Sequence, residues 1–358
     1  MVADSTAVIL PAENNPPLRM PASTSPLQID ARMIQPPIVA VVIPSFKVTR
    51  HILAVIAGIG PEVSRIYVVD DKCPDQSGDF VRANCSDARV VVIEHPQNLG
   101  VGGAVMTGYQ AAIADGATVI VKLDGDGQMD ATLIPRFIAP ILDGEADYTK
   151  GNRFFDLEQI RQMPPMRLFG NAMLSLLTKM SSGYWDLFDP TNGYTAIHAD
   201  VAHLLPFSKI SQRFFFESDM LFQLSTLRAV VVDVPMDAQY GDEVSNLRIS
   251  KIVSEFLAKH VRNFFKRLFY NYYLRDVSLA SIELPLGIVF MFGGAAYGIW
   301  HWIMSAQIGM ATAAGTVMLS ALPILMGGQL ILAFLAYDIA SVPRRPIHKS
   351  RPGRNRHA

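Results

Sequence analysis

Cysteine is nearly absent: two in 358 residues, Cys73 and Cys85. They have neither CxxC spacing nor a His cluster beside them. A disulfide framework and a zinc site are thereby excluded, and reduced thiols in a cytosolic compartment are expected. Net charge is lacking too, since 31 basic residues face 32 acidic ones for a formal charge of −1. That balance argues against a nucleic-acid partner. A secretory leader needs a basic start and a continuous apolar stretch of about 7–15 residues. The first 37 residues instead hold seven prolines and no periodic apolar run. Segment 1–37 is therefore expected to be a disordered cytosolic tail.

Apolar residues are plentiful, with a mean hydropathy of +0.24. Four short apolar runs come first: Ile38–Ile43, Arg65–Val69, Arg89–Ile93 and Thr118–Leu123. The second ends in Asp70-Asp71 and the fourth in Asp124-Gly125-Asp126. Helix-like segments such as His51–Ile59 and Val101–Ala114 lie between them. Strands and helices alternating at this interval predict an α/β fold with a mostly parallel, Rossmann-like sheet. Ligands of such sheets bind beyond the carboxyl ends of the strands, where these acids sit.

The last third of the chain is different. Acidic residues gather earlier, and basic ones dominate from Lys251 onward. Between Ile249 and Tyr273 the apolar residues fall at helical spacing, with Lys251, Lys259, Arg262, Lys266 and Arg267 on the other face. An amphipathic helix in a membrane interface fits this pattern, and a helix packed on the preceding domain is the alternative. Leu284–Trp302 and Ile308–Tyr337 carry no charge. About 20 apolar residues span a bilayer, so both segments can cross it, joined by a link near 303–307. Basic residues flank both outer ends, which predicts both termini on the cytoplasmic side.

Asp124-Gly125-Asp126-Gly127-Gln128 is the strongest chemical signal. Two carboxylates one residue apart at a strand end, with an amide oxygen following, suit a hard divalent cation such as Mg2+ or Mn2+. Such a cation neutralises a diphosphate leaving group. Asp70 and Asp71 are candidates for holding a ribose or base. The glycines of Asn98–Gly103 lack the third position of a dinucleotide fingerprint, since Val105 stands there. Hydride chemistry is excluded with it, and the glycines serve close backbone packing or approach of a ligand.

The ordered set VVIPSF (41–46), VVDD (68–71), NLGVGGA (98–104), KLDGDGQ (122–128), GNR (151–153), DPTNGYTA (189–196) and FFFESDM (214–220) resembles family 2 glycosyltransferases of the polyprenyl-phosphate type. The resemblance covers about residues 38–340. It implies a GT-A domain over 38–248, amphipathic interface helices over 249–278, a transmembrane hairpin over 279–338 and a basic cytoplasmic tail over 339–358. It further implies Pro44, Ser45, Asp70, Asp71 and Asp124 at a nucleotide-sugar donor, and Asp124, Asp126 and Gln128 at the metal. Arg153 and Arg167 match basic residues that meet donor and acceptor phosphates, and Ser245 matches a residue near the acceptor phosphate. Two departures stand out. Lys47-Val48 replace the usual Asn-Glu, which leaves the base preference open. Asn246 replaces a lysine, with Arg248 nearby as a compensating charge.

The implied reaction is inverting transfer of a sugar from a nucleotide-sugar to a polyisoprenyl phosphate at the cytoplasmic face of a lipid bilayer. The acceptor is already ionised at neutral pH, so it needs no general base. Arginine suits two anionic substrates, because its fork grips phosphate bidentately. Asp126, Arg153 and Arg167 are then the catalytic set. One alternative is elongation of a glycan at a sugar hydroxyl, with Glu217 or Asp219 as base. Another is a non-catalytic membrane scaffold of the same fold. A homo-oligomer stays open.

Overall fold

The structure is a computed structural model that describes residues 36–155, 165–237 and 249–350. The four apolar runs are strands β1 (Val39–Ser45), β2 (Val63–Asp70), β3 (Val90–Glu94) and β4 (Val119–Lys122). β1 and β4 are buried nearly throughout, which is why they read as unbroken Val/Ile runs instead of alternating ones. Three further strands, β5 (Tyr148–Asn152), β6 (Thr195–His198) and β7 (Val231–Pro235), complete the sheet. The strand order is β3-β2-β1-β4-β6-β5-β7. β6 runs antiparallel to β4 and β5, while the other neighbours are parallel. This is the mixed, mostly parallel sheet expected of a GT-A fold.

Helices cover both faces. One buried cluster joins α3 (Val101–Ala114), α6 (Ala199–Leu204) and α7 (Phe216–Leu227) to one side of the sheet. A second joins α1 (Ile52–Ala57) and α4 (Ile134–Leu142) to the other, with α2 (Ser77–Asn84) at its edge. The chain leaves β1 toward β2 and β3 on one side and places β4 on the other. The crevice of such a sheet opens where the order reverses, between the carboxyl ends of β1 and β4.

Beyond β5 lies α5 (Pro165–Ser182), and after β7 comes α8 (Ile249–Phe269), which continues into a π-helical turn over Tyr270–Arg275. The apolar stripe of α8 is divided. Leu268 and Tyr272 are buried, whereas Leu257, Val261, Phe265, Phe269 and Tyr273 stay exposed at four-residue spacing. A packed face and a bare apolar face thus share one helix.

Two long helices follow, α9 (Ala280–Ile308) and α10 (Ala314–Ala340), each long and apolar enough to cross a membrane. Only 11% of the most apolar stretch of each is buried inside the protein, so neither is the core helix of a soluble domain. They pair along their length, with Ser320 Oγ donating to Gly294 O at 2.9 Å. The link falls at 309–313, later than the sequence suggested, because nothing in 303–307 breaks a helix. Gly309 ends α9 at a φ of +70°, a conformation glycine adopts without penalty.

Asp338, near the end of α10, binds the hairpin to the rest of the chain. It is 2% exposed and accepts from both terminal nitrogens of Arg267, at 2.6 and 3.0 Å. Tyr272 Oη and Trp185 Nε1 donate to the same carboxylate at 2.5 and 2.8 Å. The chain then returns to the sheet through α11 (Ile347–Ser350). There the buried Asp147 accepts from the backbone N–H groups of Ile347 and His348 at 2.9 and 3.1 Å.

Candidate active site

A cleft of about 1550 Å3 opens at the carboxyl ends of β1 and β4. Pro44, Ser45, Asp71, Asp124 and Asp126 from the sequence reading all line it. The Ser45 hydroxyl is buried and meets no hydrogen-bond partner among the described residues, so a ligand has a group to address there. Asp70 and Asp71 do extensive structural duty. Asp70 accepts from the N–H of Cys73 and Gly78 at 2.7 and 2.6 Å. Asp71 accepts from the N–H of Leu99 and Gly100 at 2.8 and 2.7 Å, and pairs with His95 Nδ1 at 2.8 Å. The glycine-rich turn serves close packing: Gly102 N–H donates to Gln212 O at 2.8 Å, and a Cβ on Gly100 would sit 2.6 Å from that oxygen.

Two lysines at the cleft, Lys47 and Lys72, hold left-handed backbone at φ 59° and 55°. Such strain in non-glycine residues concentrates at ligand-binding loops. Lys47 N–H donates to the Cys73 thiol at 3.0 Å, which ties the two loops together. The buried cysteine is thus a loop fastener.

The acid pair lies in the turn after β4. Asp126 Oδ1 accepts from Gln128 N–H at 2.9 Å, which shapes the turn. Asp124 Oδ1 lies 2.9 Å from Lys122 Nζ, and that ammonium also donates to Glu217 Oε1 at 3.4 Å. Lys122 is 1% exposed. Burial alone would lower its pKa, but the carboxylates of Asp124 and Glu217 outweigh it and hold the group above its ordinary value. Across the sheet, Thr195 of β6 stands in register with Lys122 on one side and Lys150 on the other. Lys150 is buried as well, which pushes it down to about 8, and it donates to Asn192 O.

Asp124 and Asp126 bring hard carboxylate oxygens to the cleft, the donor type that a divalent cation of the Mg2+ or Mn2+ kind takes, while Gln128 is not among the lining residues. Among the described residues no group of three or more His, Cys, Asp or Glu side chains is placed to hold a metal alone. A cation here would therefore complete its shell with ligand phosphate oxygens, as Mg2+ commonly does.

Arg153 is held by Asp189, a fully buried carboxylate, through Nε and Nη2 at 2.7 and 3.0 Å. That pairing accounts for the aspartate of the 189–196 motif, which the sequence alone left without a role. Arg167 belongs to α5, but its side chain lies outside the described residues, as does all of Ser245 and Arg248. Lys122 and Arg213 line the cleft and were passed over by sequence reasoning, whereas Arg153 and its partner Asp189 are not among the lining residues. A lysine inside the apolar run TVIVKL was the available signal for the first. The other wall of the cleft is apolar, built from Phe169, Met173, Leu174 and Leu177 of α5 and Phe256 and Leu257 of α8.

The profile described as glycosyl transferase family 2 matches residues 40–205. An undecaprenyl-phosphate mannosyltransferase of Micrococcus luteus is 30% identical over 175 residues, which cover 48% of this chain and 71% of that one. The chain belongs to glycosyl transferase family 2. A UDP-N-acetylglucosamine–dolichyl-phosphate N-acetylglucosaminyltransferase of Methanococcus voltae is also 30% identical, over 43% of this chain and 61% of that relative. Among solved structures, glucosyl-3-phosphoglycerate synthase of Mycobacterium tuberculosis, in complex with Mn2+ and UDP, aligns with a TM-score of 0.47 at 17% identity. That alignment covers 64% of this chain and 80% of the other.

Proposed function

We propose that this family 2 member transfers a sugar from a nucleotide-sugar to a polyisoprenyl phosphate, of the undecaprenyl or dolichyl kind, with inversion at the anomeric carbon. The observation that carries the reading is the two-sided cleft. One wall presents Asp124, Asp126 and the loops of Lys47 and Lys72, and among the described residues the other is built from apolar side chains of α5 and α8. A glycan hydroxyl acceptor has no use for the second wall, whereas an isoprenyl chain does. The named relatives that act on lipid phosphates support the same class.

In the reaction an oxygen of the acceptor phosphate bonds to the anomeric carbon. The bond from that carbon to the diphosphate breaks, and its electron pair leaves with the nucleoside diphosphate. A divalent cation held by Asp124 and Asp126 would supply charge neutralisation for that leaving group. Arg153, braced by Asp189, meets phosphate, and the apolar wall keeps water from the reacting centre. The catalytic domain and both hairpin ends share the cytoplasmic side. The contacts of Asp338 and of His348 with the domain support this arrangement, since they tie the end of α10 and the returning chain to it.

The test is direct. Full-length protein in detergent is incubated with a panel of nucleotide-sugars and undecaprenyl or dolichyl phosphate, and the lipid product is weighed by mass spectrometry. A polyprenyl-phosphate sugar is expected. Transfer to saccharide acceptors alone would overturn the reading, and loss of that transfer in Glu217→Gln would then establish the hydroxyl-acceptor alternative.

A further inference from the structure

We infer that Lys122 is a charge lock on the cation site, holding Asp124 in the free protein so that a divalent cation enters only together with a nucleoside diphosphate. The inference rests on the proposed cation site and deepens it. Three carboxylates line this part of the cleft, those of Asp124, Asp126 and Glu217. The ammonium of Lys122 stands between two of them, 2.9 Å from Asp124 Oδ1 and 3.4 Å from Glu217 Oε1. It is sealed from solvent, while the Asp124 side chain keeps 29% of its surface exposed. The carboxylate thus faces the cleft with one oxygen already occupied by a fixed positive charge.

A dication approaching Asp124 alone must come close to that ammonium, in a setting where little water screens the repulsion. A nucleoside diphosphate brings negative charge and oxygen ligands with it, and the balance reverses. Glu217 makes the reversal inexpensive. It already lies at the long end of ion-pair distance from Lys122, so the ammonium can shift toward it as the cation takes Asp124. Lys150 cannot take over, because its own ammonium is directed to Asn192 O. A buried pair serving only the fold would show none of this coupling.

Lys122 is therefore a positioning residue whose effect is read on cation binding. Full-length protein in detergent is titrated with Mn2+, and free Mn2+ is followed by electron paramagnetic resonance, with and without UDP or GDP. In the natural protein one of the two nucleotides should raise Mn2+ affinity by about tenfold or more, within the ordinary range of coupling between sites. Lys122→Met should raise affinity for Mn2+ alone by a similar factor. Glu217→Gln, which leaves the ammonium wholly to Asp124, should lower it. Thermal unfolding checks that each variant is folded, and if Lys122→Met is not, the Glu217→Gln result decides alone. Unchanged Mn2+ affinity in Lys122→Met, or unchanged or raised affinity in Glu217→Gln, overturns the lock while leaving the cation site standing. Failure of the natural protein to bind Mn2+ with either nucleotide overturns the lock and the cation site together.

Discussion

The cleft and the hairpin seam each bury a base against an acid, and they do so in opposite ways. At the cleft, Lys122 is sealed but its partners Asp124 and Glu217 keep 29% and 15% of their side-chain surface open. At the seam, Arg267 and Asp338 are both 2% exposed, and the carboxylate is saturated by four donors. A point charge shared between two half-open acids can change partners. A planar guanidinium docked bidentately on a closed carboxylate cannot. One pair is suited to chemistry and the other to fixing where the hairpin meets the catalytic domain.

The largest effect is expected from breaking the closed pair. Asp338→Ala strands Arg267 in an apolar setting and removes the partner of Tyr272 and Trp185 as well. A loss of about 3–5 kcal/mol of stability follows from such an uncompensated buried charge. Thermal unfolding in detergent should show it. The double change Arg267→Met with Asp338→Leu should recover most of that loss, because the pair's own desolvation cost is removed too. If Asp338→Ala melts with the natural protein, the seam does not hold the hairpin.

Asp126→Ala makes the converse case. Asp126 is partly exposed in the turn after β4, where it accepts from Gln128 N–H, and a carboxylate so placed contributes little to stability, so melting should be nearly unchanged. Turnover should fall by roughly a hundredfold or more, the loss typical when one group stabilising developing charge is removed. Near-natural turnover in Mg2+ would remove Asp126 from the site.

The same contrast separates what the sequence alone reveals from what only the fold brings together. β1 and β4 were legible because strands covered on both faces are unbroken Val/Ile runs, and β2 and the edge strand β3 because their short β-branched runs stand out even where burial is partial, and the acids at the ends of β2 and β4 follow directly. β5 was not, since Tyr148, Thr149, Lys150 and Asn152 are polar or amphipathic yet buried, and no periodicity announces a buried lysine. β6 passed unnoticed because Thr195–His198 holds only two adjacent apolar residues, too few to read as a run. Asp124 and Asp126 were visible as a motif, but their control by Lys122 and Glu217 depends on residues far apart in sequence meeting across the sheet. The hairpin was legible from hydropathy, whereas its link was misplaced because Gly309, not the polar residues before it, ends α9. The seam was invisible for the same reason as Lys122: Arg267 reads as the basic rim of an amphipathic helix until Asp338 is found against it.

The smallest effect separates the two pairs by acid. His260 lies on α8 between them and is 1% exposed. Its Nδ1 meets Ser181 Oγ at 2.8 Å, and Phe215 stacks edge-on at 4.9 Å. Burial pushes the imidazole down to about 4, opposed only in part by Asp219, whose Oδ1 is already taken by Asn263 Nδ2 at 2.9 Å. The folded value lies below the ordinary one near 6.5, so the ring is neutral in the fold. The stability it contributes is present above pH 6.5 and is lost as pH falls through about 4. At pH 5.5 the deficit is about 1 kcal/mol, and in stronger acid it grows toward about 3 kcal/mol. The natural protein should therefore melt at progressively lower temperature between pH 6.5 and 4, and His260→Gln should flatten that slope. Because α8 carries Arg267 as well, the acid loss should loosen the hairpin seam before nucleotide binding at the cleft declines. Parallel loss of both would mean that α8 couples the two regions more tightly than the division between an open and a closed pair allows.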